Sequence, residues 1–490
     1  MTLIPSFQNS SGDKQKNDPG LLGLTLRGLQ FTTLMTGLKT LVDVGAQLIL
    51  VRLLFPDAFG ILAFLHSMAG FFCYLADLGG LKYIIQKRNL SREDVNTVFT
   101  MELIAGVFLS LLWLITGSFL LSLFHKEYLS SYVTFFSLWI ILERFQLPRA
   151  ILEKKMKFGK SNSAMFLGVF CGMTLAVVLA WRGCGVYSLI FGLIFRSFVT
   201  AVCLWKFSPV KPRPAIDASR IRPYFRFGLP LMLTSLFTFY YWNVDYLIVG
   251  RFLNEQQLGY YYIAFKFPHY MLTLQALIST VVYPAFSRTR DDEQLKRGFT
   301  LATKYSGAIS LLPCVAVLVM GEGLVRYGLE EKWMPALRPL QVFTCLAAFR
   351  MITVHWFDVY LSKGKTKVMP FLSASNAIGV SLAAYIGARY FNLFGVSVGV
   401  AVVTATVILF AVNILLKRVL RVKYIVILWK PLVSAGAALA LSYLAKSLIH
   451  IPIPVVDFGV KLGLVFIFYI GIFLALDYRS VKELIQRAFL

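Results

Sequence analysis

Acidic residues are scarce in this chain of 490: 24 Asp and Glu stand against 49 Lys and Arg, and charged residues of both signs make up only 15%. So little charge excludes an ordinary soluble domain, in which about a quarter of residues are charged. The chain has no GxxxxGK[ST] loop, no HExxH, no nucleophile elbow and no carboxylate pair in a polar loop. The usual carriers of nucleotide, zinc and acyl-transfer chemistry are therefore missing, and no loop is long enough to form a catalytic domain. An enzyme is not expected. The six cysteines, Cys73, Cys171, Cys184, Cys203, Cys314 and Cys345, form no CxxC and have no neighbouring histidine cluster. They read as small core residues, and neither a metal nor a cofactor is expected. Residues 1 to 24 are polar and lack the apolar core of a cleavable signal, so they are expected to be disordered and cytoplasmic.

What is abundant is apolar surface. Hydrophobic residues make up 58% of the chain and its mean hydropathy is +0.70. A helix needs about 20 mostly apolar residues to cross the hydrocarbon core, and it satisfies its own backbone where no water can. Fourteen stretches qualify: 29 to 52, 58 to 80, 98 to 123, 128 to 148, 163 to 181, 185 to 206, 227 to 250, 258 to 285, 299 to 320, 339 to 361, 368 to 389, 394 to 416, 424 to 446 and 456 to 476. The expected class is an all-α polytopic membrane protein with 14 transmembrane helices.

The formal charge of +25 could suggest nucleic acid, but the basic residues alternate from loop to loop. One set of connections holds clusters such as Arg149, Lys154, Lys155, Lys157 and Lys160, or Arg288, Arg290, Lys296 and Arg297. The other set holds mostly single cations such as Lys126, Arg182 and Arg251. By the positive-inside rule both termini are cytoplasmic, and no nucleic-acid partner is needed to explain the charge.

Residues 52 to 60 read RLLFPDAFG and residues 251 to 259 read RFLNEQQLG, each after a long apolar run. The register persists: Tyr83 answers to Tyr283, Arg88 to Arg288, and Phe99-Thr100 to Phe299-Thr300. The chain is thus expected to hold two parallel six-helix repeats, 25 to 207 and 224 to 420, joined by a Pro-rich basic linker at 208 to 223. Residues 421 to 490 carry two extra helices and a cytoplasmic tail. Duplicated bundles of this kind point to transport through a central cavity.

A six-plus-six bundle with two added helices resembles the multidrug/oligosaccharidyl-lipid/polysaccharide exporter superfamily. The run Arg52-Leu53-Leu54-Phe55-Pro56-Asp57-Ala58-Phe59-Gly60, the run Phe227-Gly228-Leu229-Pro230, and Asp245, Gly250, Leu258-Gly259-Tyr260-Tyr261 and Ala264 look like its polysaccharide branch, the Wzx-type flippases. That resemblance implies a bacterial inner-membrane protein that carries undecaprenyl-pyrophosphate-linked oligosaccharide repeat units to the periplasmic leaflet by alternating access. The glycan would serve exopolysaccharide, O-antigen or capsule synthesis. Membrane lipids, a polysaccharide polymerase and a chain-length regulator are the expected partners. The competing reading is a MATE-like drug antiporter of the same superfamily, coupled to H+ or Na+.

Charge at bilayer depth costs about 2.5–3.5 kcal/mol on insertion scales and marks candidate function. Lys39, Arg196, Lys266, Arg350, His269 and His355 compose a candidate cationic cavity for an anionic substrate. Lys39 and Asp43, four apart, either pair or line that cavity; Lys266 either lines it or snorkels to the surface. Lys304 lies lower in its helix. The two histidines either join bundle hydrogen bonds or carry protons. Asp43 and Asp245, in the first helices of the two repeats, are candidates for ion coupling. Asp77, Glu102 and Glu143 are expected near cytoplasmic helix ends, paired with neighbours such as Lys82, Arg92 or Arg144. The aromatic run 237 to 242 reads as an interfacial belt or a sugar-stacking surface.

Overall fold

The computed structural model describes residues 21–289, 291–363, 368–415, 423–449 and 451–488, in helices and the turns between them. Residues 1 to 20, and with them most of the polar N-terminal segment, lie outside that set, as do Arg290, Lys365, Lys367, Lys417, Arg418 and Arg421 of the basic connections. The chain forms two compact units, divided between Leu258 and Gly259.

The first unit holds α1 (Leu21–Leu53), α2 (Pro56–Leu75), α3 (Gly80–Gln86), α4 (Arg92–Leu123), α5 (Val133–Arg144), α6 (Pro148–Lys154), α7 (Phe158–Trp181), α8 (Val186–Phe207) and α9 (Ala218–Phe252). Local signals set the helix starts. Pro56 opens α2 where a missing N–H costs nothing, with Asp57 in the first turn to complement the helix dipole. Ser91 and Asp94 form a reciprocal capping box at the start of α4. Lys154 on α6 donates to the carbonyls of Ile85 and Lys87 at the end of α3, and burial holds its ammonium below the ordinary lysine pKa.

The Pro-rich linker is strapped to α4. Arg213 N donates to Asn96 Oδ1 at 2.9 Å, Ala215 N to Thr100 Oγ1 at 3.0 Å and Asp217 N to Thr97 Oγ1 at 3.0 Å. Asp217 accepts from Ser219 Oγ at 2.6 Å and, capping α9, from Ser219 N at 2.9 Å, which keeps its carboxyl below the usual range. Held this way, α9 packs along α2 inside the first unit, although the sequence repeat makes it the start of the second copy. Phe239 stacks on Tyr74 at 4.5 Å, and a Cβ at Gly70 would stand 2.4 Å from the Phe239 ring. Most of the aromatic run is more exposed than Phe239, which fills this seam at 6% exposure.

The second unit holds α10 (Glu255–Arg288), whose first turn belongs to the first unit, then α11 (Asp292–Gly323), α12 (Leu337–Thr353), α13 (His355–Ser362), α14 (Val368–Tyr390), α15 (Asn392–Leu415), α16 (Tyr424–Leu448) and α17 (Pro454–Ala488). Two helix pairs approach through small residues. In the first unit Gly168 and Gly172 on α7 face α8, and a Cβ at Gly172 would lie 2.7 Å from the Gly192 carbonyl oxygen. The second unit repeats the device, where a Cβ at Gly387 of α14 would lie 2.5 Å from Val396 N of α15.

Twelve stretches among the described residues are long and apolar enough to span a membrane, against the fourteen expected. The stretch 128 to 148 falls short because a 3-10 turn at Glu127–Tyr132 and a break before Pro148 leave α5 only 12 residues. The stretch 227 to 250 lies within α9, whose 35 residues extend roughly 50 Å at about 1.5 Å each, ample length for a span. Its Tyr240-Tyr241-Trp242-Asn243 run, Asp245 and Pro230 dilute its apolar character.

The two C-terminal helices are tied to the second unit by a buried ion cluster. Asp477, 1% exposed, receives Lys430 Nζ at 2.6 Å, Lys304 Nζ at 2.8 Å and Tyr305 OH at 3.2 Å. The non-helical backbone at Asp477 (φ −117°, ψ 17°) kinks α17 where its carboxylate meets α11 and α16. Lys304 is thus a packing residue.

Two outcomes test this packing. Gly172→Leu should overpack the α7–α8 contact by about 1–3 kcal/mol and lower the thermal midpoint of the purified protein; an unchanged midpoint contradicts the close approach. Asp477→Ala should leave two half-buried lysines without their carboxylate at a cost of about 1–3 kcal/mol, and the triple change with Lys304→Met and Lys430→Met should recover most of it. A triple variant as unstable as the single one contradicts the ion-cluster account.

Candidate functional site

A cavity of about 460 Å³ lies inside the first unit, among α2, α4, α5 and α8, within the roughly 300–1,000 Å³ common for small-molecule sites. Its wall carries Arg144, Arg149 and Arg196 together with Asp77, Glu102 and Glu143. Three cations and three acids leave the wall itself formally balanced. Of the expected cationic residues only Arg196 is in this wall.

Each carboxylate is held from within the unit. Glu102, in the first third of α4, accepts from Gly80 N at 2.9 Å and Tyr224 OH at 3.4 Å. A side chain at residue 80 would close to 2.3 Å on that oxygen, so only glycine lets the start of α3 reach it. Glu143 accepts from Ser197 Oγ at 2.6 Å and Gln146 Nε2 at 2.9 Å. Asp77 accepts from Gly79 N at 3.0 Å, bracing the turn between α2 and α3.

The arginines are answered less completely. Arg144 is 7% exposed, packs its methylenes over Gly106 of α4 and donates to Cys73 Sγ at 3.4 Å. Glu102, Asp77 and Glu143 lie within its electrostatic reach, but no carboxylate oxygen comes within ion-pair distance of it among the described residues. Arg149 pairs with Glu153 at 2.6 Å. Arg196 is exposed on α8 and forms no ion pair among the described residues. Lys39, half-buried on α1, stands within electrostatic range of Arg149 and Arg196. The cavity therefore has a side rich in positive charge and a side where acids and Arg144 offset one another.

The other expected site residues fall elsewhere. Asp43 is half-buried on α1. Asp245 is 5% exposed on α9, where its Oδ1 accepts from Tyr246 N at 3.0 Å. In the second unit, Lys266 Nζ stands over the rings of Tyr262 and Tyr270 at 6.0 and 5.9 Å. His269 lies beside Phe265, with Arg350 and Lys266 within electrostatic range, so these three residues share one region. His355 does not line a described cavity. Fully buried, it contacts Ser306 Oγ at 2.8 Å and Asp358 Oδ2 at 3.1 Å, while Ser279 Oγ donates to the same carboxylate at 3.1 Å. A ring enclosed on both nitrogens joins α10, α11 and α13 and has no face left for a substrate. A second cavity of about 430 Å³, between α11, α12 and α15, is apolar apart from Gln341 and Cys345.

Asp77, Glu102 and Glu143, expected near helix ends and paired with neighbouring cations, instead line the cavity.

Several known proteins resemble this chain in sequence or fold. The chain is 22% identical over 427 residues to the lipopolysaccharide biosynthesis protein WzxC of Escherichia coli (strain K12), covering 86% of this chain and 87% of that one. It is 24% identical over 260 residues to the succinoglycan biosynthesis transport protein ExoT of Rhizobium meliloti (strain 1021), covering 52% of each. Its fold is similar to that of the lipid II flippase MurJ in an inward closed conformation, with a TM-score of 0.78 at 14% identity over 92% of this chain and 99% of that one. A family model described as polysaccharide biosynthesis protein matches residues 49–338, more than half of the sequence. This chain belongs to that polysaccharide biosynthesis protein family.

Proposed function

We propose that the protein is a flippase that moves undecaprenyl-pyrophosphate-linked oligosaccharide repeat units from the cytoplasmic to the periplasmic leaflet of a bacterial inner membrane. The observation that carries this reading is a charged cavity of about 460 Å³ set among helices apolar enough to face lipid. A sugar-diphosphate headgroup cannot cross hydrocarbon unaided, because each polar group stripped of water costs several kcal/mol. The cavity offers guanidinium and carboxylate groups in place of that water, while the lipid tail stays in the bilayer. The names of its relatives support a transporter in polysaccharide synthesis rather than an enzyme.

In this reading the substrate is anionic. Arg196 supplies a planar donor fork for phosphate or carboxylate, and Lys39 and Arg149 add to the field around it. Arg350, Lys266 and His269 form the corresponding cationic region of the second unit. Alternating access moves the headgroup outward, with H+ or Na+ coupling at Asp43 and Asp245. Delivery outside would serve a polymerase and a chain-length regulator.

The test is translocation in proteoliposomes that carry a fluorescent lipid-linked oligosaccharide, read as quenching by a membrane-impermeant reductant. The native protein should move label between leaflets. Arg196→Gln and Arg350→Gln should each slow movement about tenfold or more, in line with roughly 1.5–3 kcal/mol for a charged hydrogen bond, at unchanged protein level. Full rates in the double variant reject the role of these arginines. Absence of any movement by native protein, with efflux of a cationic dye instead, replaces the flippase by the drug antiporter.

A further inference from the structure

The connection between α4 and α5 is gripped by the junction between α9 and α10. Glu255 receives both Lys126 Nζ and Tyr128 OH. Next to it Arg251 Nη2 meets His125 Nε2 at 3.1 Å. His125 has a left-handed backbone (φ 59°), which turns the chain so that His125 and Lys126 both reach the junction. Lys126 is 5% exposed and lies 5.4 Å over the Phe64 ring of α2, which also fills the space beside Gly250 of α9. The clasp therefore consists of an ion pair, a phenol hydrogen bond, an Arg–His contact and one aromatic ring.

Its position in the sequence sets it apart from ordinary helix-end packing. Residues 251 to 259 are the second copy of the motif at 52 to 60 and close the first helix of the second repeat, whereas Lys126 and Tyr128 belong to the first. The alternation of basic residues puts both connections on the outer, cation-poor side. The cavity of the first unit, by contrast, is lined by residues such as Asp77 and Arg149 that border the basic, inner connections. A contact between repeats on one face, with a polar cavity toward the other, is what an alternating-access carrier has to break and remake. A polar clasp suits that duty. Water can replace each of its contacts when it opens, whereas separating apolar faces would expose hydrocarbon surface.

We propose that the Lys126–Tyr128–Glu255 clasp, supported by His125 and Arg251, is the outer gate of the carrier and opens in every transport cycle. The proposal rests on the flippase reading for its direction, but its test does not depend on the substrate. A single reporter, Leu193→Cys, is placed on the cavity wall of an otherwise cysteine-free protein, and a membrane-impermeant maleimide is added from the outside. Glu255→Gln or Lys126→Met should raise labelling about two- to fivefold, the shift given by losing roughly 0.4–1 kcal/mol of a partly exposed ion pair. The exchanged pair Lys126→Glu with Glu255→Lys should bring labelling back toward the native level. Unchanged labelling in both single variants overturns the gate.

A second arm joins cysteines introduced as Lys126→Cys and Glu255→Cys with a short bismaleimide. The bridged protein should lose lipid translocation and also outside labelling read on the proteolytic peptide that carries the Leu193→Cys reporter, while the same variant before bridging keeps both. Translocation at the unbridged rate after bridging overturns the gate and leaves the flippase reading intact. If neither form moves lipid yet bridging still abolishes outside labelling, the gate stands and the flippase reading fails.

Discussion

Ionised groups among helices that face hydrocarbon must each be answered by an opposite charge, by hydrogen bonds or by water, and this requirement organises the rest of the molecule. An unanswered charge at that depth costs several kcal/mol, comparable with a large part of a typical net stability. Two kinds of answer are present. Asp477 takes Lys304, Lys430 and Tyr305 in one closed cluster, and His355 is enclosed by Ser306 and Asp358. Both are satisfied from within and serve to hold helices together. The cavity of the first unit is the other kind: its carboxylates are hydrogen-bonded from within, whereas Arg196 is exposed to the cavity and has no ion-pair partner among the described residues.

That contrast separates structural charge from charge available for a ligand. A residue becomes a packing element when its partner comes from another helix at the same depth. It remains available when the same depth offers only space. The close helix contacts serve this arrangement. Gly80 admits the backbone N–H that holds Glu102, and Gly106 makes room for the Arg144 side chain. Small residues thus bring the polar wall together in the first unit, much as they bring α7 to α8.

Much of the fold was legible in the chain because hydrophobic length and loop charge are local signals. The family was legible for the same reason: the motif at 52 to 60 and the Phe227-Gly228-Leu229-Pro230 run can be read without knowing any contact. Arg196 stood out as a cation in an apolar run with no acid within a turn. What sequence could not supply were partners far along the chain. Lys304 meets Asp477 at a separation of 173 residues, and nothing near Lys304 foretells it. His355 and Asp358, three residues apart, share a helix face, yet Ser306, which encloses the ring, comes from another helix. Glu102 and Glu143 were placed at helix ends by counting residues. Only the packing of α2, α4, α5 and α8 shows them facing the same space. The extended linker was expected to run from 208 to 223, but α9 already begins at Ala218, and the bonds of the preceding segment to Asn96, Thr97 and Thr100 depend on α4 lying beside it.

The central claim is that the saccharide headgroup enters this cavity. A photoactivatable amino acid in place of Met165, which lines the cavity, tests it in membranes that contain radiolabelled lipid-linked oligosaccharide. The account predicts a labelled adduct on illumination, diminished by excess unlabelled lipid-linked oligosaccharide and absent when the group replaces lipid-facing Phe119 of α4, 63% exposed. Equal labelling at the two positions, or labelling at Phe119 alone, would contradict it.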